Sequence, residues 1–342
     1  MRKSIVIGSD RDLRSWLFEA EEAPAAGAAP AGGGKPADED KLKQAKDIVG
    51  TKKVADVVKK LDSADKETID ILKKGLEDNN LEDDKVATQD GNPVCSSLFP
   101  TQNEISLMKS VGWPLSSFQT LKNIASGDPV GKGLRLVVSG QFIIDGHHRW
   151  SSIAAIAGPA GKVLVQDVAL PGSTADEKLV KAQIAIAAKV GTPLPKAPGS
   201  GEPDNILGAG AGAIAQMITS NLSKPTETGA VMLNPEYLKE VIPSSEGRAY
   251  FGLKGTETPE QAKQMIINKV GENLALLNKP QGEAPARVDM PQFDPKVGGP
   301  KFDDVKGDLA AGKINVQDPL TEGRLVYGFE RRSSLPGIRR RY

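Results

Sequence analysis

At 342 residues and 36.2 kDa the chain has room for one to three domains, yet 36 glycines, 24 prolines and only 4 % aromatic residues point to a modest core with long irregular segments. Its 44 basic residues balance 44 acidic ones, which excludes a global field directing it to nucleic acid or a membrane surface. No stretch approaches the roughly 18 consecutive apolar residues of a spanning helix, and the single Cys95 permits no intramolecular disulfide.

The start is basic, but only Ile5, Val6 and Ile7 follow as a continuous apolar run, so it does not read as a signal peptide. With one free cysteine, this suits the cytosol or a particle assembled there. Residues 1–21 are expected to form a short strand and an amphipathic helix, with Leu13, Trp16, Leu17 and Ala20 on one face, acting as a docking segment. Residues 22–39, rich in Ala, Pro and Gly from Glu22 to Ala37, read as a flexible linker. The region 40–93 is helical as far as about Leu76, with Leu42, Ala45, Ile48 and Val49, then Val54, Val57, Val58 and Leu61 on one stripe. Its last part, 77–93, is polar and acidic and reads as a boundary.

The segment 94–195 changes character. Short helices are expected at 104–111 and 118–124, and strands at 134–138 and 141–144 joined by Ser139-Gly140 as a hairpin turn. Trp150, Ile153, Ala154 and Ala157 then mark a helix over 147–157 that Gly158-Pro159 stops. A third strand at 162–168 and a helix at 176–190 complete a small α/β or α+β unit, of which α+β is the fold class expected for the chain. The region 196–280 reads as helical at 211–222, 235–242 and 259–278. From 281 to 342 little periodicity remains, and an extended arm with a basic end is expected.

The only two histidines lie side by side in Ile143-Ile144-Asp145-Gly146-His147-His148-Arg149-Trp150. The string reads as a strand, a one-glycine corner and a helix start. A helix N-terminus offers unsatisfied N–H groups and partial positive charge to a phosphate. Gly146 permits close backbone approach, Arg149 offers a planar fork, and histidine donates to phosphate or shuttles a proton. The alternative is that Asp145 caps those N–H groups itself and the histidines are incidental. Gly208 to Gly212 and Gly131-Lys132-Gly133 read as flexible turns, Cys95 as a packing residue and Trp150 as core.

Asp145-Gly146-His147-His148-Arg149-Trp150 after a β-hairpin resembles the signature of the ParB/sulfiredoxin-like superfamily, in which a Gly-x-x-Arg corner binds nucleotide phosphates. Phe99 to Glu104, then Lys109-Ser110, resembles the first box of that family, which lies against the phosphate site. Pro100 to Trp150 and Ala284 to Gln292 resemble segments of bacteriophage proteins labelled ParB-like nuclease. The resemblance implies a small mixed-sheet fold over 94–195 and a nucleotide ligand (ATP, ADP or CTP), with Mg²⁺ as a companion ion. Phosphate binding falls to Gly146, His147, His148 and Arg149. Catalytic roles fall to Glu104, Asp145, His147 and His148, with Glu104 and Asp145 as metal ligands. Sulfiredoxin chemistry is not implied, because His147 stands where its cysteine lies, and no basic helix-turn-helix of the partition-protein kind is visible.

Two functions follow. One is a bacteriophage virion- or assembly-associated protein, in host cytoplasm or virion, that docks on other structural subunits through its N- and C-terminal arms. Its basic end (Arg331, Arg332, Arg339, Arg340 and Arg341) would then meet nucleic acid, and no membrane is involved. The other is an active enzyme, a phosphotransferase, NTPase or metal-dependent nuclease.

Overall fold

A computed structural model describes residues 39–74, 84–191, 204–282, 284–287, 290 and 302–316. The docking segment 1–21, the linker up to residue 38 and the five C-terminal arginines (Arg331, Arg332, Arg339, Arg340 and Arg341) lie outside the described residues. Twelve helices and five strands form among those described, an α+β arrangement with a mixed sheet.

Three amphipathic helices come first: α1 (Glu39–Val49), α2 (Val54–Asp62) and α3 (Lys66–Lys74). In α2 the i, i+3, i+4, i+7 set Val54, Val57, Val58 and Leu61 is buried, as the spacing requires. Then follow β1 (Thr88–Gly91), a 3₁₀ turn (Cys95–Ser97), β2 (Phe99–Pro100), α4 (Leu107–Val111) and α5 (Phe118–Ile124). The hairpin β3 (Leu136–Ser139) and β4 (Phe142–Asp145) leads into α6 (His147–Ala157), then β5 (Val165–Val168) and α7 (Ala175–Val190). Helices α8 (Ala211–Asn221), α9 (Pro235–Val241), α10 (Ser245–Phe251), α11 (Pro259–Ala275) and α12 (Phe302–Ala310) complete the set.

The sheet order is β1-β5-β3-β4-β2. Strands β3 and β4 pair antiparallel, as do β1 and β5, whereas β5 with β3 and β2 with β4 are parallel. Alternation divides the sheet residues between two cores. Leu136, Val138, Ile143 and Val165 join a cluster with α4, α5, α6, α8, α9 and α11; Val137, Ile144 and Val168 join another with α1, α2, α3, α7 and α12. Helices therefore cover both faces, and β3 and β4 are buried along most of their length.

Several elements depart from the expectations. The hairpin turn is Gly140-Gln141, one residue later than expected, because Ser139 pairs with Phe142 and a register shift falls between Val137 and Val138. Gly140 supplies the positive φ of that turn at +61°. Strand β1 lies in the stretch read as a boundary; its four residues are all exposed, so no alternation marks it. Helix α10 was not expected, although Ser244 caps its start and Gly252 its end in the left-handed conformation. The stretch 281–342 is not a wholly extended arm. Helix α12 buries Phe302, Val305 and Leu309 in the second core, and Ile314 and Val316 follow.

Candidate functional site

Strands β2 and β4 run parallel, so their carboxyl ends open at the same edge. Chain leaving β2 becomes Thr101 to Glu104, and chain leaving β4 becomes the Gly146 corner. Ligands of open α/β sheets bind outside such strand ends. Gly146 is the N-cap of α6, with φ +98°, a conformation that a side chain disfavours. A Cβ there would also meet Arg149 Nη2 at 3.0 Å and Leu136 Cγ at 3.1 Å, so the Arg149 guanidinium folds back over the corner. Its Nη2 lies 3.8 Å from Asp145 Oδ2, with both side chains partly exposed.

Asp145 is the last residue of β4 and does not cap the helix: no side chain caps the start of α6. The capping alternative is thereby removed, and the first turn of an eleven-residue helix keeps its N–H groups without a side-chain acceptor.

The two imidazoles occupy different surroundings. His147 is 5 % exposed, and its Nε2 accepts the Thr101 backbone N–H at 3.1 Å. The Thr101 hydroxyl donates to Ile143 O at 2.6 Å, which ties the same loop to β4. Because Nε2 is an acceptor, the proton of neutral His147 sits on Nδ1. Burial, then the positive charge of Arg287, pushes its pKa down to about 3. His147 therefore joins the two halves of the site and stays neutral at physiological pH. The engaged Nε2 ties the Thr101 loop to the start of α6.

His148 differs. Its Nε2 is buried and has no hydrogen-bond partner. Burial depresses its pKa well below the usual value, with Arg287, Lys109 and His147 adding to the effect. The carbonyl of His148 accepts from Ser151 Oγ at 3.1 Å and Ser152 Oγ at 2.7 Å; Ser152 Oγ also lies 2.6 Å from Ser110 O, which clamps α4 to α6. Gln102, 4 % exposed, carries a second buried nitrogen without a partner, its Nε2. Thr101 and His147 are hydrogen-bonded, and Gln102 and His148 are their immediate neighbours in the chain. Two buried nitrogens without a hydrogen-bond partner thus belong to residues next in the chain to a bonded pair. An unmade hydrogen bond of a buried polar group costs about 1–3 kcal/mol, so a ligand oxygen here has a physical motive.

Glu104 meets the 284–287 segment. Its Oε1 accepts the Arg287 backbone N–H at 3.0 Å, and the Asn103 N–H donates to Pro285 O at 3.0 Å. Among the described residues no three His, Cys, Asp or Glu side chains gather as metal donors. The pair Glu104 and Asp145 thus does not by itself fit a protein-held Mg²⁺, and no chemical step is routed through one.

Asp204 and Asn205 strap the 103–108 segment. Met108 N–H donates to Asp204 Oδ2 at 2.8 Å and Ile105 N–H to Asn205 Oδ1 at 2.9 Å. Sequence reasoning did not reach these residues, nor Thr101 and Arg287 as partners of the histidines. Nothing local signals them, because each contact joins distant parts of the chain.

Cys95 and Trp150 are core. Cys95 is buried and its thiol is pushed up to about 12, while Trp150 Nε1–H donates to Cys95 O at 3.0 Å. Among the described residues no helix is long and apolar enough to cross a membrane. Comparison with protein-family models, with curated proteins and with solved structures finds no match.

Proposed function

We propose that the Gly146 corner holds the phosphates of a nucleotide (ATP, ADP or CTP) as a ParB/sulfiredoxin-like domain within a bacteriophage virion- or assembly-associated protein. The observation that carries the binding half is that Gln102 Nε2 and His148 Nε2 are each buried without a partner, on the residues next to the Thr101–His147 contact at the uncapped start of α6. A phosphate presents several acceptor oxygens and negative charge to a place that offers N–H groups, Arg149, Lys109 and Arg287. Gly146, His148 and Arg149 contact the phosphates; His147 positions the Thr101–Glu104 loop; Asp145 orients Arg149.

No observation among the described residues favours phosphotransfer or nuclease chemistry over binding, since Glu104 already accepts from Arg287 and neither histidine protonates near pH 7. The virion setting rests on the likeness to bacteriophage proteins and on the arginine-rich end.

Calorimetric titration of the full chain with ATP, ADP and CTP, with and without Mg²⁺, tests the binding half. Saturable binding is expected, weakened about tenfold or more in Arg149→Ala, as loss of a charged hydrogen bond implies. Absence of saturable heat for all three nucleotides would contradict it. Mass spectrometry of purified particles tests the setting, and absence from both virions and procapsids would remove it.

A further inference from the structure

Ser106, Ser110, Ser151 and Ser152 are all buried, two on the α4 side and two in α6. Ser110 is their meeting point. Its hydroxyl donates to Ser106 O at 2.7 Å, and Ser151 Oγ–H donates to Ser110 Oγ at 2.7 Å. Ser152 Oγ lies 2.6 Å from Ser110 O and 2.7 Å from His148 O, and Ser151 Oγ lies 3.1 Å from His148 O. At the far end Ser106 Oγ–H donates to Asp204 Oδ2 at 3.2 Å, and that carboxylate also accepts Met108 N–H at 2.8 Å. A ladder of hydroxyls therefore runs from Asp204 across α4 to the His148 carbonyl.

Beyond residue 152 the buried part of α6 is apolar, with Ile153, Ala154, Ala155 and Ile156. Apolar packing would hold its first turns as well, because replacing both partners of a buried hydrogen bond by apolar groups of the same shape is close to neutral for stability. What the hydroxyls add is direction. Apolar burial is non-directional and lets one helix slide on another, whereas hydrogen bonds of 2.6 and 2.7 Å fix a register. These anchors follow directly on Gly146 to Arg149. They fix the end of α6 that has no side-chain cap and that carries the partnerless His148 Nε2.

We propose that Ser110, Ser151 and Ser152 are positioning residues of the phosphate site, which set the α6 start and the His148 ring for an incoming phosphate. This inference rests on the phosphate-binding reading above; the three serines act through α6 and do not touch the ligand. Donors that bind a phosphate must be held to within about 0.5 Å, and the ladder supplies that setting where packing does not.

The test titrates the full chain with ADP by calorimetry and records the histidine ¹⁵N spectrum before ligand is added. It compares wild type, Ser151→Ala/Ser152→Ala, Ser152→Thr and Thr174→Ala. Thr174 caps α7, so its variant controls for a general loss of stability. The double variant is expected to bind ADP about fivefold or more weakly and to shift the His148 resonances of the ligand-free chain. Ser152→Thr keeps a hydroxyl that a helix can direct to the preceding turn, and it is expected to stay within about twofold of wild type, as is Thr174→Ala. A double variant that binds ADP as wild type does overturns the proposal. An equal weakening in Thr174→Ala overturns it too, because the effect would then be one of stability alone. So does a loss in Ser152→Thr as large as in the double variant, since the hydroxyl is kept. If wild type binds no ADP, the phosphate reading itself fails and this proposal falls with it; if wild type binds and the serine variants do not differ from it, only the proposal fails.

Discussion

Successive residues of an α-helix project about 100° apart, so two neighbouring histidines at a helix start cannot share one environment. His147 turns inward to Thr101, and His148 presents a buried nitrogen with nothing to bind. Both rings are held neutral by burial, with Arg287 reinforcing the effect on both and Lys109 on His148, and this has a consequence for stability. Unfolded, both titrate near 6.5; folded, His147 protonates only near 3 and His148 well below its usual range. As pH falls below about 6.5 the unfolded chain takes up protons that the folded chain refuses, so stability is lost towards pH 3, at up to about 1.4 kcal/mol per pH unit for each ring. The exposed carboxylates of Asp65 and Glu177, lowered to about 2, add to the loss only in the ordinary carboxylate range, below about pH 4.5. A melting temperature that drops between about pH 7.5 and 5, and drops less in His147→Gln, is the expected result. A flat profile over that interval would speak against buried neutral rings. At Gly146, alanine forces a side chain into a left-handed φ and against Arg149. Gly146→Ala should cost about 1–2 kcal/mol and weaken anion binding together; urea melts and titration check both.

At the level of elements, legibility followed local pattern. Helix α6 was readable because Trp150, Ile153, Ala154 and Ala157 share a face and Gly158 stops it, and its observed limits are the expected ones, His147 to Ala157. Helix α7, expected over 176–190, runs from Ala175 to Val190; in the structure Thr174 and Glu177 form a reciprocal capping box at its start, and Gly191 ends it in the left-handed conformation. Strands β1 and β2 were not readable: one has four exposed residues, and the other is two residues long and ends in Pro100. Helix α12 was overlooked because its apolar residues are few, yet Phe302 is fully buried against α7 and the sheet. Phe302→Ala is therefore expected to lose about 3–5 kcal/mol in denaturant unfolding, as a buried aromatic does; a change below about 0.5 kcal/mol would return the segment to the status of a loose arm. Thr174→Ala, which removes one half of the capping box, should lose about 1 kcal/mol by the same measurement.

For the whole molecule, the decisive contacts join residues that no local window contains. Glu104 and Arg287 stand 183 positions apart, and Asn205 reaches Asn103 across 102. The corner itself could be recognised from one octapeptide, but the loop that meets it through Thr101 is brought there by the sheet order. The parallel pairing of β2 with β4 sets the two halves together, and the two cores on opposite faces of one sheet hold that pairing. Because the cores share β3 and β4, Ile153→Ala on one face and Ile69→Ala on the other should both shift a single unfolding transition, each by about 2–5 kcal/mol; two separable transitions would contradict a common sheet.

The chain contains only two histidines, and both lie in the site. Histidine-selective ¹⁵N labelling therefore gives a spectrum of the site alone, and following it during addition of ADP tests the central claim most directly. Neutral rings at pH 7, with the His147 proton on Nδ1 and a saturable shift of His148 Nε2 that disappears in Arg149→Ala, are the predicted outcome. Rings that titrate near 6.5 as in an unfolded chain, with no response to millimolar ADP, would contradict a phosphate site built on this corner.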